Sequence, residues 1–304
     1  MSSGVYPPQA VADGNLRGIL AMTVCQVFFL ANDTFTKLAV AHIPATEIMA
    51  LRGVVASLIV LGLAWRLGVL PRWGTLRNPI VFARAAVEAL VATIFLTALA
   101  FVTLGDITVV LQATPLILVA LSAVFLKEHV GWRRWLAVVA GFAGVLLIVR
   151  PASAAFNAYT LLALVAAFLI AFRDLLTKRI AGTIPSIVVT LATTLTVCVV
   201  GFAGAAFQDW KPIDATLAFY LTASAAFVAS GNYLVIRALR EAEVSVVSPY
   251  RYSAVLWAML LGFLVWGDVP DWLAVMGAGL VVGAGLYSFH REAVLARARR
   301  RKSS

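Results

Sequence analysis

Apolar residues run through this chain in long unbroken stretches, and polar residues gather in the short gaps between them. A helix needs about 20 residues to cross 30 Å of hydrocarbon. With polar breaks, Gly and Pro taken as boundaries, the stretches fall near residues 16–39, 46–66, 79–102, 106–127, 133–150, 157–180, 185–206, 214–239, 243–265 and 270–290. Helices follow from this continuity, because a membrane strand alternates apolar and polar side chains. The pattern predicts an all-α membrane protein of about ten transmembrane helices. The first stretch is read as a helix and not as a cleaved leader. Ala39-Val40-Ala41 would suit cleavage, but only Arg17 precedes the stretch and Asn32 and Asp33 interrupt it.

The basic residues orient these helices. With both chain ends placed in the cytoplasm, 17 of the 24 lysines and arginines fall on that side, and three (Lys37, Arg150 and Lys211) fall on the other. The remaining four, Arg52, Arg84, Arg173 and Arg251, lie inside helices. Lysine and arginine favour the cytoplasmic side. The expectation is a multi-pass protein of a bacterial inner membrane with both termini cytoplasmic.

The second half of the chain repeats the first. Asp33 and Asp174, Thr36 and Thr177, Lys37 and Lys178, and Pro44 and Pro185 each stand 141 positions apart. Asp106 and Glu243 stand 137 apart, as do RWLAV at 134–138 and DWLAV at 271–275. FLKE at 125–128 and VWGD at 265–268 are 140 apart. Residues 1–152 form one five-helix unit, and 153–304 form a second with a basic tail. An odd helix count makes the second unit run through the membrane in the opposite sense, a recurring plan of secondary transporters.

Composition agrees. Charged residues make up 12% of the chain, about half the roughly 25% of soluble domains. Mean hydropathy is +0.96. A net charge of +10 would suit nucleic acid as partner, but the arginines stand singly between apolar stretches. The tail Arg297, Arg299, Arg300, Arg301, Lys302 suits anionic headgroups. Cys25 and Cys198 sit in apolar stretches and read as small buried hydrophobes.

Several motifs resemble the drug/metabolite transporter superfamily, specifically its EamA-type proteins of two five-helix repeats. They are Asp33-Thr34-Phe35-Thr36-Lys37, Leu51-Arg52-Gly53, Ala113-Thr114-Pro115-Leu116 before Leu126-Lys127-Glu128, Arg173-Asp174-Leu175-Leu176-Thr177, and Ser248-Pro249-Tyr250-Arg251-Tyr252 before Gly267-Asp268. The family ends its fourth and ninth helices in Gly-Glu. Here Lys127-Glu128 and Gly267-Asp268 keep both carboxylates and drop one glycine. The resemblance implies a central cavity lined by the first, third, fourth, sixth, eighth and ninth helices. It also implies a small organic substrate. Members include YddG-like exporters of aromatic amino acids and uptake systems for S-adenosylmethionine.

Charge within lipid costs at least about 2.5–3.5 kcal/mol at mid-depth, which makes each intramembrane ion a functional candidate. Glu88 lies near the centre of the third helix, and Arg84, one turn earlier, can pair with it. Arg251 lies near the centre of the ninth, flanked by Tyr250 and Tyr252. Glu88 and Arg251 facing one cavity would hold the ammonium and carboxylate of a zwitterion. The alternative is a Glu88–Arg84 pair that only locks helices. Arg173 and Asp174 are adjacent and point about 100° apart on a helix, which sets them poorly to face each other. Asp33 and Asp174, at opposite membrane ends, suit a gate, with Arg52 as partner of Asp33. Solvated helix ends are the alternative. Gln112, Asn232, Tyr233, Gln26 and Asn32 supply neutral polar groups at depth, for the solute path or for interhelical hydrogen bonds. Phe95, Trp257, Phe28 and Phe29 offer an apolar surface to an aromatic solute, or pack the core. Trp132, Trp135, Trp210, Trp266 and Trp272 fall at helix ends as interfacial belts. Gly279 and Gly283 form GxxxG, for close helix approach or a dimer contact.

No P-loop, HExxH or GxSxG occurs, and His42, His129 and His290 are scattered. No enzyme activity, catalytic residue, metal or cofactor is expected. The expected function is secondary transport by alternating access, as export of amino acids including aromatic ones. The alternative within the family is uptake of a larger metabolite such as S-adenosylmethionine. A membrane enzyme or a non-transporting structural protein is the reading from another class. It finds no reactive constellation and no large extramembrane region. The expected partners are the bilayer and the solute, and the chain is a monomer unless GxxxG pairs two copies.

Overall fold

Backbone in hydrocarbon must satisfy its own hydrogen bonds, and helices do this within one segment. The structure, a computed structural model, describes residues 8–69, 78–125, 131–149, 157–180, 184–241 and 248–303. Among them the regular elements are all helical. They are α1 (Pro8–Val40), α2 (Ala45–Arg66), α3 (Pro79–Phe101), α4 (Leu104–Leu111), α5 (Thr114–Phe125), α6 (Trp132–Val149), α7 (Ala158–Lys178), α8 (Ser186–Ala205) and α9 (Ala215–Glu241). A 3-10 turn (Ser248–Tyr252), α10 (Ser253–Trp266) and α11 (Trp272–Ser303) complete the chain. Six segments are long and apolar enough to span a bilayer, Leu104–Phe125 counting as one. Four shorter apolar helices, Trp135–Val149, Ala215–Gly231, Tyr250–Trp266 and Trp272–Ser288, supply the rest of the ten predicted.

Two predicted continuous helices are broken. The stretch 106–127 splits into α4 and α5 at Gln112 and Ala113. Pro115 has no N–H to offer the carbonyl one turn earlier, so it fits only in the first turn of a new helix. The Ala113 N–H instead bonds tightly to Val110 O at 3.0 Å, and Ile117 N–H to Ala113 O restarts the ladder. The stretch 243–265 carries Pro249 within the 3-10 turn, and α10 starts after it. Residues 242–247 lie outside the described residues, as do Lys127 and Glu128.

The starts of α2 and α8 are equivalent. Pro44 and Pro185, both extended, stand just before them. Asn78 caps α3 and Asn157 caps α7, each accepting from backbone N–H groups. Gly267 ends α10 at φ 71°, a left-handed geometry that glycine adopts without strain. Its N–H bonds to Phe263 O and that of Asp268 to Gly262 O, which closes the helix end.

The helix pairings are those of an inverted repeat. With α4 and α5 as one crossing, α1 packs on α9 and α3 on α7, which exchange under the repeat. α2 on α8, α6 on α11 and α4 on α10 each pair a helix with its own counterpart. The α6–α11 crossing is close: a β-carbon on Gly144 would lie 2.7 Å from Gly277 O, and one on Gly277 the same distance from Gly144 O. Gly279 and Gly283 have nothing within 4 Å of such an atom. The predicted close approach therefore uses Gly277 and not GxxxG, because α11 turns the GxxxG face away from α6.

Ten crossings leave both chain ends at one face, called the near face below. The opposite, far face carries the loops after α1, α3, α6, α8 and α10.

Candidate functional site

Two polar clusters are embedded in the bundle, one toward each face. The far cluster stands on α1 and α2. Arg52 Nη1 donates to Asn32 Oδ1 at 3.1 Å and to Thr36 Oγ1 at 3.2 Å. Asn32 Nδ2 in turn donates to Asp33 Oδ1 at 2.9 Å. Asn32 is 5% exposed and Thr36 1%. The predicted Asp33–Arg52 partnership is thus indirect, with the Asn32 amide between them. Asp33 is the carboxylate that the Asn32 amide links to Arg52.

The near cluster joins α3, α7 and α8. Arg173 Nη1 bonds to Glu88 Oε2 at 2.7 Å. Its Nη2 and Nε both reach Asp174 Oδ1, at 2.7 and 3.0 Å. Arg84 donates from Nε to Thr177 Oγ1 at 2.9 Å and from Nη1 to Thr193 Oγ1 at 2.6 Å. Among the described residues no carboxylate comes within ion-pair distance of Arg84. Arg173, Glu88 and Asp174 each keep 18–26% of the side chain exposed, and Thr177 is exposed.

Two expectations are corrected here. Glu88 pairs with Arg173 and not with Arg84, because α7 and α8 offer both groups better-placed partners than the next turn of α3. Arg173 and Asp174 do meet, because the long arginine side chain folds back across the 100° between their Cα directions.

The two helix breaks touch at mid-depth, where Gln112 Nε2 donates to Arg251 O at 2.7 Å. No contact joins Glu88 to Arg251 among the described residues. Tyr250 is exposed. Tyr252 is buried with its hydroxyl against Gly285 of α11, where a β-carbon would collide with it. Phe95 and Trp257 are partly buried against the main apolar core. Phe28 meets Phe227 edge-on, and Phe29 lies over Gly231, so both join α1 to α9. Asn232 and Tyr233 belong to α9, and their side chains lie outside the described set.

Lys37 is not among the site residues that the sequence suggests. Its Nζ donates to Val102 O at the end of α3 and sits 5.3 Å from the centre of the Trp266 ring. Trp266, expected as a belt residue, also packs against the core. Beside it a far-face cavity of about 290 Å³ is lined by Thr103, Asp106, Asn157, Thr160, Asp268 and Asp271 among others. The threonines of both clusters were passed over too. Thr36 and Thr177 carried a signal, their 141-position spacing. Thr193 stands at the same spacing from Arg52.

Comparison with known proteins adds the following. The profile described as the EamA-like transporter family matches twice, over residues 16–150 and 157–289. The chain is 25% identical over 187 residues to the S-adenosylmethionine uptake transporter of Rickettsia bellii, covering 61% of this chain and 63% of that one. The match thus spans less than two thirds of that relative's length. It is 26% identical over 273 residues to the riboflavin transporter of Vibrio cholerae, covering 88% and 91%. It is 26% identical over 276 residues to the pseudopaline exporter of Pseudomonas aeruginosa, covering 88% and 94%. A solved crystal structure at 17% identity superposes with a TM-score of 0.64 over 96% of this chain and 99% of its own, a likeness of fold.

Proposed function

Since the chain belongs to the EamA-like transporter family, we propose that the small molecule it carries is a zwitterionic amino acid, aromatic ones included, exported across a bacterial inner membrane by alternating access. It is a multi-pass membrane transporter; solute, direction and membrane are the proposal. In it the near face is cytoplasmic, as the basic residues favour. The repeats 1–152 and 153–304 rock about the centre.

One observation carries the choice of a zwitterion. The near cluster holds two guanidinium groups and two carboxylates, yet Arg84 donates only to hydroxyls while Arg173 serves both acids. Among the described residues Arg84, half-buried, thus holds its charge without a carboxylate partner. A solute carboxylate can take Arg84, and its ammonium can take Glu88 as Arg173 stays on Asp174. Every charge then has a partner once the solute is bound. Arg251, Tyr250, Gln112, Asn232 and Tyr233 are the further polar candidates along the path, with Phe95 and Trp257 as apolar wall and Tyr252 behind Arg251. Asp33 with Arg52, and Asp174 with Arg173, are the gating pairs.

A second substrate has a specific observation in its favour, the resemblance to S-adenosylmethionine uptake transporters. S-adenosylmethionine carries the same α-amino-acid group with an added sulfonium, so the same charges would receive it.

The test is flux of labelled amino acids and of S-adenosylmethionine in proteoliposomes, with Glu88→Gln, Arg84→Gln and Arg251→Ala beside the wild type. Saturable amino-acid flux that drops at least tenfold in E88Q and R84Q supports the proposal. Flux of S-adenosylmethionine alone replaces the substrate. Flux that E88Q and R84Q leave intact removes the near cluster from the binding path.

A further inference from the structure

We propose that Arg52 is a second carboxylate subsite, the far-face counterpart of Arg84, which the solute occupies when the far end is open. This rests on the zwitterion reading above and adds to it a second station.

The two clusters are built on the same repeated residues. Asp33 and Asp174 are 141 positions apart, and so are Thr36 and Thr177. In each cluster the residue just before the aspartate donates to its Oδ1: Asn32 to Asp33 at 2.9 Å, Arg173 to Asp174 at 2.7 Å. In each, the threonine three residues on receives a guanidinium: Thr36 from Arg52 at 3.2 Å, Thr177 from Arg84 at 2.9 Å. Thr193 holds the position in α8 that Arg52 holds in α2, and Arg84 reaches across from α3 to bond to it at 2.6 Å. Arg84 therefore fills, in the near cluster, the place that Arg52 fills in the far one.

What differs is access to the threonine, since Arg52 and Arg84 are both half-buried. Thr177 is exposed and Thr36 is 1% exposed. A protein of two inverted copies reaches its opposite state when the copies exchange arrangements. The far cluster then takes on the exposure that Thr177 has in the near one, and Arg52 meets the solute path with hydroxyl and amide partners only. Glu88 stands one helical turn after Arg84 on α3. A solute ammonium that stays on Glu88 lets its carboxylate pass from one guanidinium to the other. Asp33 is the charged group linked to Arg52, and it keeps the Asn32 amide.

The experiment measures KM separately at each face, in proteoliposomes of one orientation, with phenylalanine as probe. Arg52→Gln is expected to raise the far-face KM at least tenfold more than the near-face KM, and Arg84→Gln the reverse. Arg52→Lys should recover part of the far-face loss, which a folding defect would not do. Equal effects at both faces from R52Q overturn the proposal. A second readout uses Thr36→Cys with Cys25 and Cys198 replaced by alanine. A membrane-impermeant maleimide should reach the introduced thiol from the far face, and millimolar acetate or phenylalanine should slow it while Arg52 is present but not in R52Q. Labelling from the near face only, or no slowing by either carboxylate, also overturns it. If the wild type moves no amino acid, the proposed function fails, and acetate protection of the introduced thiol alone then decides the subsite.

Discussion

The near cluster joins its charges directly, whereas the far cluster sets a neutral amide between them. At the position before the repeated aspartate the near half has Arg173 and the far half Asn32. Arg173 therefore carries two carboxylates by itself, while Asn32 accepts from Arg52 and donates to Asp33 as a relay. Each cluster balances its charges, one with two of each sign and the other with one. The balance fails differently. Without Arg173, Glu88 and Asp174 face each other with Arg84 held elsewhere. Without Asn32, Arg52 and Asp33 are left close and of opposite sign.

That contrast predicts unequal costs. Arg173→Met should destabilise the protein by about 2–3 kcal/mol, below the roughly 3–5 kcal/mol of orphaning a fully buried charge because these side chains keep 18–26% exposed, measured by unfolding in mixed micelles. Adding Glu88→Gln and Asp174→Asn to it should recover much of the loss, and a triple variant as unstable as the single one would refute the ionic account. Asn32→Ala should cost only about 1–2 kcal/mol, as its two hydrogen bonds are lost but a direct ion pair forms in their place; a cost equal to that of R173M would erase the distinction between the clusters. Next, Thr36→Val should cost about 1 kcal/mol, since Thr36 is buried against a guanidinium, and Thr177→Val, at an exposed position, less than half of that. Gln112→Leu should also cost little, about 0.6 kcal/mol, typical of a hydrogen bond between helices in lipid. It lies outside both clusters, so its effect should add to either one's.

Bilayer thickness is a length constraint, and this is why the ten stretches were legible in the sequence. The repeat was legible for a related reason: a copied unit keeps its ions and prolines at fixed spacing, as Asp33 with Asp174 and Pro44 with Pro185 do. The breaks at Gln112 and at Ser248–Tyr252 were not, although Pro115 and Pro249 were visible. Apolar residues continue on both sides of each, so hydropathy alone joins the pieces. Glu88 misled because spacing along one helix suggested Arg84, while its partner Arg173 comes from α7. Lys37 was not singled out as a site residue, since its acceptor Val102 O is a backbone atom with no side-chain signature. GxxxG did not single out the glycine of the α6–α11 crossing, because the motif gives no direction and Gly277 is the one turned toward Gly144.

The crossing of α6 and α11 has a thermodynamic consequence. Gly144 packs against Val281, and these two stand 137 positions apart, as Trp135 and Trp272 do. The crossing thus pairs a helix with its own counterpart, and exchanging the roles of the halves returns α6 and α11 to each other. An interaction equal in both end states cancels from the equilibrium constant between them. Enlarging Gly144 should lower the stability of the whole protein yet leave the ratio of its two orientations where it was, which makes this crossing an axle and not a lever.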